Sequence, residues 1–195
     1  MRIIGGEFRS RLISAPKGVD IRPTQDKVRE AIFNILGDIS GRNVLELFAG
    51  SGAIGIEAIS RGAGHVTFVD NNPRCINTIR DNLCSLGVDA ARYDIIKADA
   101  VSIPARLNKS GRKFDVIFLD PPYYHDIAKN CLINIDAYDI LAPIGLVFVE
   151  HFKKDSLASD LKTLAFSQER RYGDAMVTIY GRHDKDQNSG LSGNI

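Results

Sequence analysis

Residues 44–60 have the sequence VLELFAGSGAIGIEAIS, and this stretch decides the predicted fold. The residues from Val44 to Phe48 form an apolar run that is typical of a buried parallel strand. A Gly-rich segment follows at 50–55, and the residues from Ile54 to Ser60 predict a helix. Because glycine lets the backbone turn tightly and approach a ligand closely, the stretch predicts a strand, a ligand-binding turn and a helix.

The alternation of strand and helix continues along the chain. Further strands are predicted at Val66–Val69, Asp94–Lys97, Phe114–Leu119 and Leu146–Val149, and further helices at Pro73–Leu86 and Ile127–Ile135. Two final β-like runs, Thr163–Phe166 and Ala175–Tyr180, have little between them and predict a hairpin, so that one of them is antiparallel to the rest. The pattern predicts an α/β fold, a doubly wound and mostly parallel sheet of seven strands with helices on both faces.

Residues 1–40 are predicted to form an N-terminal extension. They carry seven Lys and Arg residues against five Asp and Glu residues, whereas the whole chain has a net charge of +1. Short apolar pieces at 3–4 and 12–13 predict a small β-hairpin, and Thr24 is the predicted cap of a helix that ends at Gly37. The local charge indicates an anionic partner, although a solvated polar face explains it equally well.

Composition limits the class of protein. A chain of 195 residues with 44% hydrophobic and 25% charged residues fits one globular domain, which we place at 41–183, followed by a polar tail at 184–195 that we expect to be disordered. The three cysteines, Cys75, Cys84 and Cys131, form no CxxC motif, so we expect no metal site. We expect the protein to lie in the reducing cytoplasm. No signal-peptide run and no membrane-length apolar stretch is present, so no membrane association is expected.

Acidic residues follow the predicted strands at the edge where doubly wound sheets bind ligands. Glu46 precedes the glycines and could meet a cationic group, and Asp70 ends the next strand, where it could accept hydrogen bonds from ribose hydroxyls. Asp99, after the third strand, could accept from an adenine amino group. A ribose near a cation describes S-adenosylmethionine, although the glycines alone would also suit a dinucleotide. Helix capping is the competing explanation for Asp70 and Asp99.

The tetrapeptide Asp120-Pro121-Pro122-Tyr123 follows the fourth predicted strand. Its prolines stiffen the backbone and free carbonyl groups from the sheet ladder. An amine on an aromatic base is a poor nucleophile, because its lone pair is delocalised into the ring. A carboxylate and a carbonyl that accept both amine hydrogens would help to localise that lone pair, and Tyr123 could stack on the base.

This tetrapeptide resembles the D/N-P-P-Y/F motif of amino-methyltransferases, and the whole pattern resembles the RsmD family over residues 1–182. The motifs that carry the resemblance are Arg2-Ile3-Ile4-Gly5-Gly6, Arg9, Arg11, Arg22-Pro23-Thr24, Val28-Arg29-Glu30-Ala31, Glu46-Leu47-Phe48-Ala49-Gly50-Ser51-Gly52, Glu150-His151 and Arg171-Tyr172-Gly173-Asp174.

The resemblance implies a Rossmann-like class I methyltransferase that uses S-adenosylmethionine. Its implied target is the N2 amine of one guanine in 16S ribosomal RNA, within the small ribosomal subunit or an assembly intermediate, and we expect a monomer. The expected cofactor-binding residues are Glu46, Phe48, Gly50, Ser51, Gly52, Asp70, Asn71, Asp99, Ala100 and Asp120. The expected catalytic residues are Asp120, Pro121, Pro122 and Tyr123. The expected RNA contacts are Arg2, Arg9, Arg11, Arg22 and Arg29.

Three alternatives stay open at this point. A DNA adenine-N6 methyltransferase would use the same chemistry, but 195 residues leave little room for a separate target-recognition region. An NAD-dependent oxidoreductase would explain the glycines but neither Glu46 nor the Asp-Pro-Pro-Tyr motif. A non-catalytic ribosome-assembly factor would bind RNA without needing Asp120. Four histidines show no metal-ligand spacing, and of these His125 and His151 could lie near the site.

Overall fold

The computed structural model describes residues 1–18, 26–122 and 126–183. Its helices are α1 (Asp26–Leu36), α2 (Ala53–Ser60), α3 (Pro73–Leu86), α4 (Ile103–Lys109) and α5 (Ile127–Ala137). Its strands are β1 (Asn43–Leu47), β2 (His65–Asp70), β3 (Tyr93–Lys97), β4 (Phe114–Leu119), β5 (Leu141–Phe152), β6 (Leu164–Tyr172) and β7 (Ala175–Arg182). Within these ranges, no helix has the length and apolar character that crossing a bilayer requires.

The strands form one seven-stranded sheet in the order β3-β2-β1-β4-β5-β7-β6. β1 to β5 are parallel, whereas β7 is antiparallel to both β5 and β6, which confirms the predicted terminal hairpin. The chain winds outward from β1 in one direction through β2 and β3, and from β4 in the other direction. The crevice between the carboxyl ends of β1 and β4 is therefore the switch point at which such sheets bind ligands.

Two apolar cores lie on opposite faces of the sheet. Neighbouring strand residues alternate between them, so that Val44 and Val116 belong to one core while Leu45 and Ile117 belong to the other. α1, α2 and α3 supply buried residues to the first core, and α4 and α5 supply them to the second. This two-sided burial explains why the central strands are continuous apolar runs.

Three elements differ clearly from the sequence prediction, and the first is β6, which continues to Tyr172, six residues beyond its predicted end at Phe166. α4 was not predicted, because its short segment contains Pro104 and lacks a strong apolar period, yet Ile103 and Leu107 are buried in the second core. β5 begins at Leu141, five residues before the predicted start, although 143–145 read Pro-Ile-Gly and suggest a turn. The pairing of β4 with β5 shifts register between Phe114 and Val116, which accommodates this irregular stretch.

Residues 1–18, here called the N-terminal strap, cross the ends of α2 and α3. The two arms of the predicted hairpin pair around one antiparallel bridge, between Arg2 and Leu12. The amide of Ile3 donates to the carbonyl of Arg11 at 3.0 Å, and the amide of Ile13 donates to the carbonyl of Met1 at 3.0 Å, although within 1–18 no extended strand forms. The strap's backbone also bonds to helix side chains: Ser60 Oγ accepts from the amide of Phe8 at 2.8 Å, and Asn82 Oδ1 accepts from the amide of Ser14 at 2.8 Å. These contacts satisfy backbone groups that a longer hairpin would have paired.

A buried charge cluster fixes the strap to α1 and α2. The Glu57 carboxylate is fully buried and accepts from the amides of Ile4 and Gly5, both at 2.8 Å, and from Arg61 Nε at 2.8 Å. Arg29 Nε lies 3.7 Å from the same carboxylate, and Arg29 Nη2 donates to the carbonyl of Arg2 at 2.5 Å. The cluster therefore holds the first residues of the chain against the sheet layer.

Candidate active site

The Gly-rich turn between β1 and α2 is built from left-handed backbone. Phe48, Gly50 and Gly52 have φ of 59°, 55° and 76°. Gly52 closes the turn by donating to the carbonyl of Ala49 at 2.6 Å. A non-glycine residue in this region is strained, and such strain collects at ligand sites. Gly55 has a packing role, because a Cβ there would lie 2.3 Å from the ring of Phe68 on β2.

Asp70 ends β2 directly beside this turn. One carboxylate oxygen accepts from the amide of Gly50 at 2.9 Å, and the other accepts from the amide of Asn72 at 2.8 Å. The cap of α3 is Asn72, whose side chain accepts from the amide of Arg74 at 2.9 Å. Asp70 is therefore not the helix cap that competed with its predicted role, and Asn71 beside it is exposed.

Glu46 lies inside the turn, 4% exposed. Its oxygens accept from the amides of Ile54 at 3.3 Å and Gly55 at 3.0 Å, and these bonds fix the start of α2. Burial raises the pKa of Glu46 to about 8; the two amides act in the opposite direction, and the charges of Asp120 and Asp70 raise the pKa further. Three carboxyl groups therefore act on one another at this sheet edge, which is an environment that favours a cation.

The raised pKa of Glu46 predicts a pH dependence of stability. The folded chain holds this proton more tightly than the unfolded chain, so the contribution is fully present below about pH 4.5 and is lost as the pH rises through about 8. We expect the melting temperature to fall more in the wild type than in Glu46→Gln between about pH 6 and about pH 9. Thermal unfolding without cofactor measures both falls. Equal falls would contradict the raised pKa.

Asp99 and Ala100 follow β3. Asp99 is exposed, and one of its oxygens accepts from the amide of Ser102 at 2.9 Å, so it supports the turn before α4. The oxygen of Asp99 that accepts from Ser102 therefore has the capping role that competed with the adenine contact. Ala100 is buried with the second core and can form one apolar wall beside a ligand.

Asp120 and the prolines follow β4 on the other side of the turn. Leu47 on β1 pairs with Val69 on β2 and with Leu119 on β4. The next residues along these two neighbouring strands, Asp70 and Asp120, therefore lie on either side of the glycine turn that follows β1. Asp120 is half-buried, Pro121 is buried and Pro122 is exposed. Tyr123 and His125 lie outside the described residues.

A cleft of about 470 Å³ opens beside the two prolines. It lies between the ends of β4 and β5, the first turn of α5 and the loop after β5. Its lining consists of Pro121, Pro122, Asp126, Ile127, Ala128, Lys129, His151, Lys154, Asp155 and Ser156. Most of these residues belong to no motif, and for that reason the sequence did not single them out. Within the described ranges, no group of acidic, His and Cys residues could hold a metal ion.

His151 lies at the back of this cleft, 4% exposed. Its Nδ1 lies 3.0 Å from the carbonyl oxygen of Phe152, which can only accept, so Nδ1 carries the hydrogen. Its Nε2 lies 2.8 Å from Thr178 Oγ1, which in turn lies 2.7 Å from Glu169 Oε1. Both ring nitrogens are therefore engaged by the protein, and His151 is a fixed part of the cleft wall.

The predicted RNA contacts fall into three groups. Arg2, Arg9 and Arg11 are exposed on the strap, and Arg11 also donates to the carbonyl of Ser85 at 3.0 Å. Arg22, like Pro23 and Thr24, lies outside the described residues. Arg29 is 1% exposed and faces Glu57, so its predicted contact with RNA is wrong. The sequence shows its charge but not that it lies on the buried face of α1.

The chain is similar in sequence to known bacterial proteins. A family model described as Conserved hypothetical protein 95 matches residues 1–181. YlbH of Bacillus subtilis is 38% identical over 181 residues, which are 92% of this chain and 98% of that protein. The Escherichia coli protein named Ribosomal RNA small subunit methyltransferase D is 31% identical over 183 residues, 93% of this chain and 90% of that protein.

The fold is also similar to that of a solved structure. The Escherichia coli protein YhhF, provisionally named a methyltransferase, has a TM-score of 0.80 and 30% identity, over 93% of this chain and 97% of that one. The match confirms the predicted Rossmann-like methyltransferase fold, with its seven-stranded sheet and helices on both faces. Nearly the full length of the chain is matched in each comparison, and the chain therefore belongs to the RsmD family.

Proposed function

We propose that this protein transfers a methyl group from S-adenosylmethionine to the exocyclic N2 amine of a guanine in 16S ribosomal RNA. The name of the Escherichia coli relative supports ribosomal RNA of the small subunit as the substrate. The observation that carries the proposal is the placement of Asp120 between the glycine turn and the cleft, since methyl donor and acceptor must meet at one point. The reaction takes place where small subunits assemble, in the cytoplasm.

The sheet edge fits the proposed cofactor. Asp70 ends β2, and Asp99 and Asp120 follow β3 and β4; β3 and β4 are three strand spacings apart, about 14 Å, which suits an extended nucleoside with an amino-acid chain. The Asp70 carboxylate accepts from two amides and from the Cys75 thiol, and of its roughly four lone-pair positions one remains for a ribose hydroxyl. Gly50, Ser51 and Gly52 bring the backbone close to the ligand, beside Phe48 and Asn71. The bound cofactor supplies an electrophilic methyl group on a cationic sulfur.

Asp120 and the prolines prepare the acceptor amine. Guanine presents N1–H and N2–H as neighbouring donors, and a carboxylate can accept from both. Pro121 and Pro122 have no amide hydrogens, so this segment can offer carbonyl groups to the base without competing donors. Asp120 also provides an acceptor for the proton that the amine loses after methylation. Tyr123 remains the proposed stacking partner of the base.

The proposal gives the two parts of the chain different roles. Residues 41–183 carry the reaction, and the extension at 1–40 holds RNA through Arg2, Arg9 and Arg11. The strap packs into the same core as β1 and α2, so its position relative to the cofactor turn is fixed. Such a fixed basic edge sets the register of the RNA without specifying its sequence.

Arg9 gives the cleanest test of the strap, because it is exposed and the structure shows no ion pair for it among the described residues. We expect Arg9→Ala to weaken RNA binding and to reduce the slope of log K against log salt by about 0.7 to 0.9, one phosphate contact. Fluorescence anisotropy with 16S RNA at several KCl concentrations measures the slope. The control is Arg106→Ala on α4, which packs on the opposite face of the sheet. An unchanged slope in Arg9→Ala would argue against an RNA surface on the strap.

Transfer of labelled methyl groups tests the proposed substrate. We expect label in small ribosomal subunits that lack the modification, less label in naked 16S RNA and none in duplex DNA. Label in DNA would keep the fold and overturn the substrate. No transfer to any acceptor, with cofactor binding intact, would favour a non-catalytic assembly factor.

A further inference from the structure

The cleft beside Pro121 and Pro122 is larger than one base requires. Its volume of about 470 Å³ lies within the range of about 300–1,000 Å³ that is usual for sites holding whole small ligands. The prolines form one wall, next to the proposed position of the target guanine. The opposite wall comes from α5 and from residues 154–156. A group attached to a base that lies against the prolines would therefore have room in this cleft.

The cleft offers two cationic side chains to such a group. Lys129 projects from the first turn of α5, and Lys154 follows β5. Within the described parts of the chain, neither lysine makes an ion pair. Lys153, the neighbour of Lys154, is by contrast paired with Asp174 at 2.6 Å. The two lysines of the lining are thus the ones left available for a ligand.

The other polar groups of the lining cannot replace them. Both ring nitrogens of His151 are engaged within the protein, as described above. Asp155 Oδ2 accepts from the amide of Phe152 at 3.1 Å and so supports its own turn, but its negative charge opposes an anion in the cleft. Asp126 is exposed at the start of α5 and would oppose an anion. Ser156 adds a neutral hydroxyl.

We propose that this cleft binds the backbone phosphate of the target nucleotide through Lys129 and Lys154. The inference rests on the proposed function, since it assumes that a nucleotide enters at Pro121 and Pro122. Base and phosphate are then held on two sides of the prolines, which fixes the nucleotide that has left its stack. Charge-assisted contacts of this kind are roughly twice as strong as neutral hydrogen bonds, so two of them position the amine for transfer.

The test uses the full chain labelled with ¹⁵N and titrated with guanosine 5′-monophosphate in the millimolar range. We expect shifts in the amide signals of residues 127–129 and 154–156, weaker shifts at the same residues with inorganic phosphate, and none there with guanosine. In the variant Lys129→Ala/Lys154→Ala, the dissociation constant for the nucleotide should rise by about tenfold. Lys153→Ala is the matched control and should bind as the wild type does. Asp126→Asn should bind more tightly, because it removes the opposing charge.

Equal dissociation constants in the wild type and the double variant would overturn the proposal, as would shifts confined to other residues or no shift at all. Methyl transfer by the wild type is measured separately. If the wild type transfers no methyl group but the nucleotide still binds at these lysines, the proposed reaction fails and the phosphate site stands. If the wild type is active and the double variant binds the nucleotide equally well, only the phosphate site fails.

Discussion

Asp120→Ala should lower the rate of methyl transfer by about 10²–10⁴-fold, the range typical of removing a positioned acid–base group. Asp120 lies at the end of β4, where it flanks the glycine turn and adjoins the proline wall of the cleft. Without its carboxylate, the amine keeps its lone pair in the aromatic ring. Single-turnover assays with small subunits measure the rate.

Cofactor affinity separates this role from a binding role. Calorimetry with S-adenosylhomocysteine should give nearly the same dissociation constant for Asp120→Ala and the wild type. Asp81→Ala on α3 is a suitable control, because Asp81 is exposed and contributes to neither the site nor the cores. If Asp120→Ala lost cofactor affinity in proportion to its activity, Asp120 would be a cofactor ligand rather than a catalytic residue.

Glu57→Ala should reduce the free energy of unfolding by about 3–5 kcal/mol, the usual cost of leaving a buried partner charge unpaired. Arg29 is 1% exposed, Glu57 is its buried ionic partner, and without Glu57 its charge is left with the exposed carboxylate of Asp26, 3.0 Å from Arg29 Nη2. The amides of Ile4 and Gly5 lose their acceptor in the same variant. Urea unfolding followed by circular dichroism measures the loss.

Two further variants make this prediction specific. Glu30→Ala removes an exposed charge from α1, and it should change stability by no more than about 0.5 kcal/mol. Replacing both buried partners, as in Arg29→Met/Glu57→Leu, should cost less than the two single changes combined, because no charge stays buried alone. A loss below about 1 kcal/mol in Glu57→Ala would mean that water reaches Arg29 and that the cluster does not fix the strap.

The central part of the fold could be predicted from sequence because its signals are local. β1, the glycine turn and α2 follow from an apolar run, glycines and a helical period within 44–60. α3 was equally clear, since Pro73 and Gly87 mark its two ends. The sequence also placed Asp70 and Asp120 at one edge, because parallel strands bring their carboxyl ends together.

The features that the sequence did not reveal depend on contacts between distant residues. Arg29 has the same charge as Arg9, and only the packing of α1 on the sheet shows that one is buried and the other exposed. The sequence places Glu46 at the turn but does not show that its oxygens also accept from the amides of Ile54 and Gly55. Of the two lysines in the cleft, Lys129 lies on α5 and Lys154 lies in the loop after β5, and no sequence motif links these two segments.

The most direct measurement of the central claim is the identity of the methylated nucleoside. Small subunits lacking the modification would be incubated with the protein and labelled S-adenosylmethionine, then digested and separated by liquid chromatography with mass spectrometry. The proposed function predicts that the label appears as N2-methylguanosine from 16S RNA, and that Asp120→Ala gives almost none. Label in N6-methyladenosine or in any nucleoside other than N2-methylguanosine would contradict it.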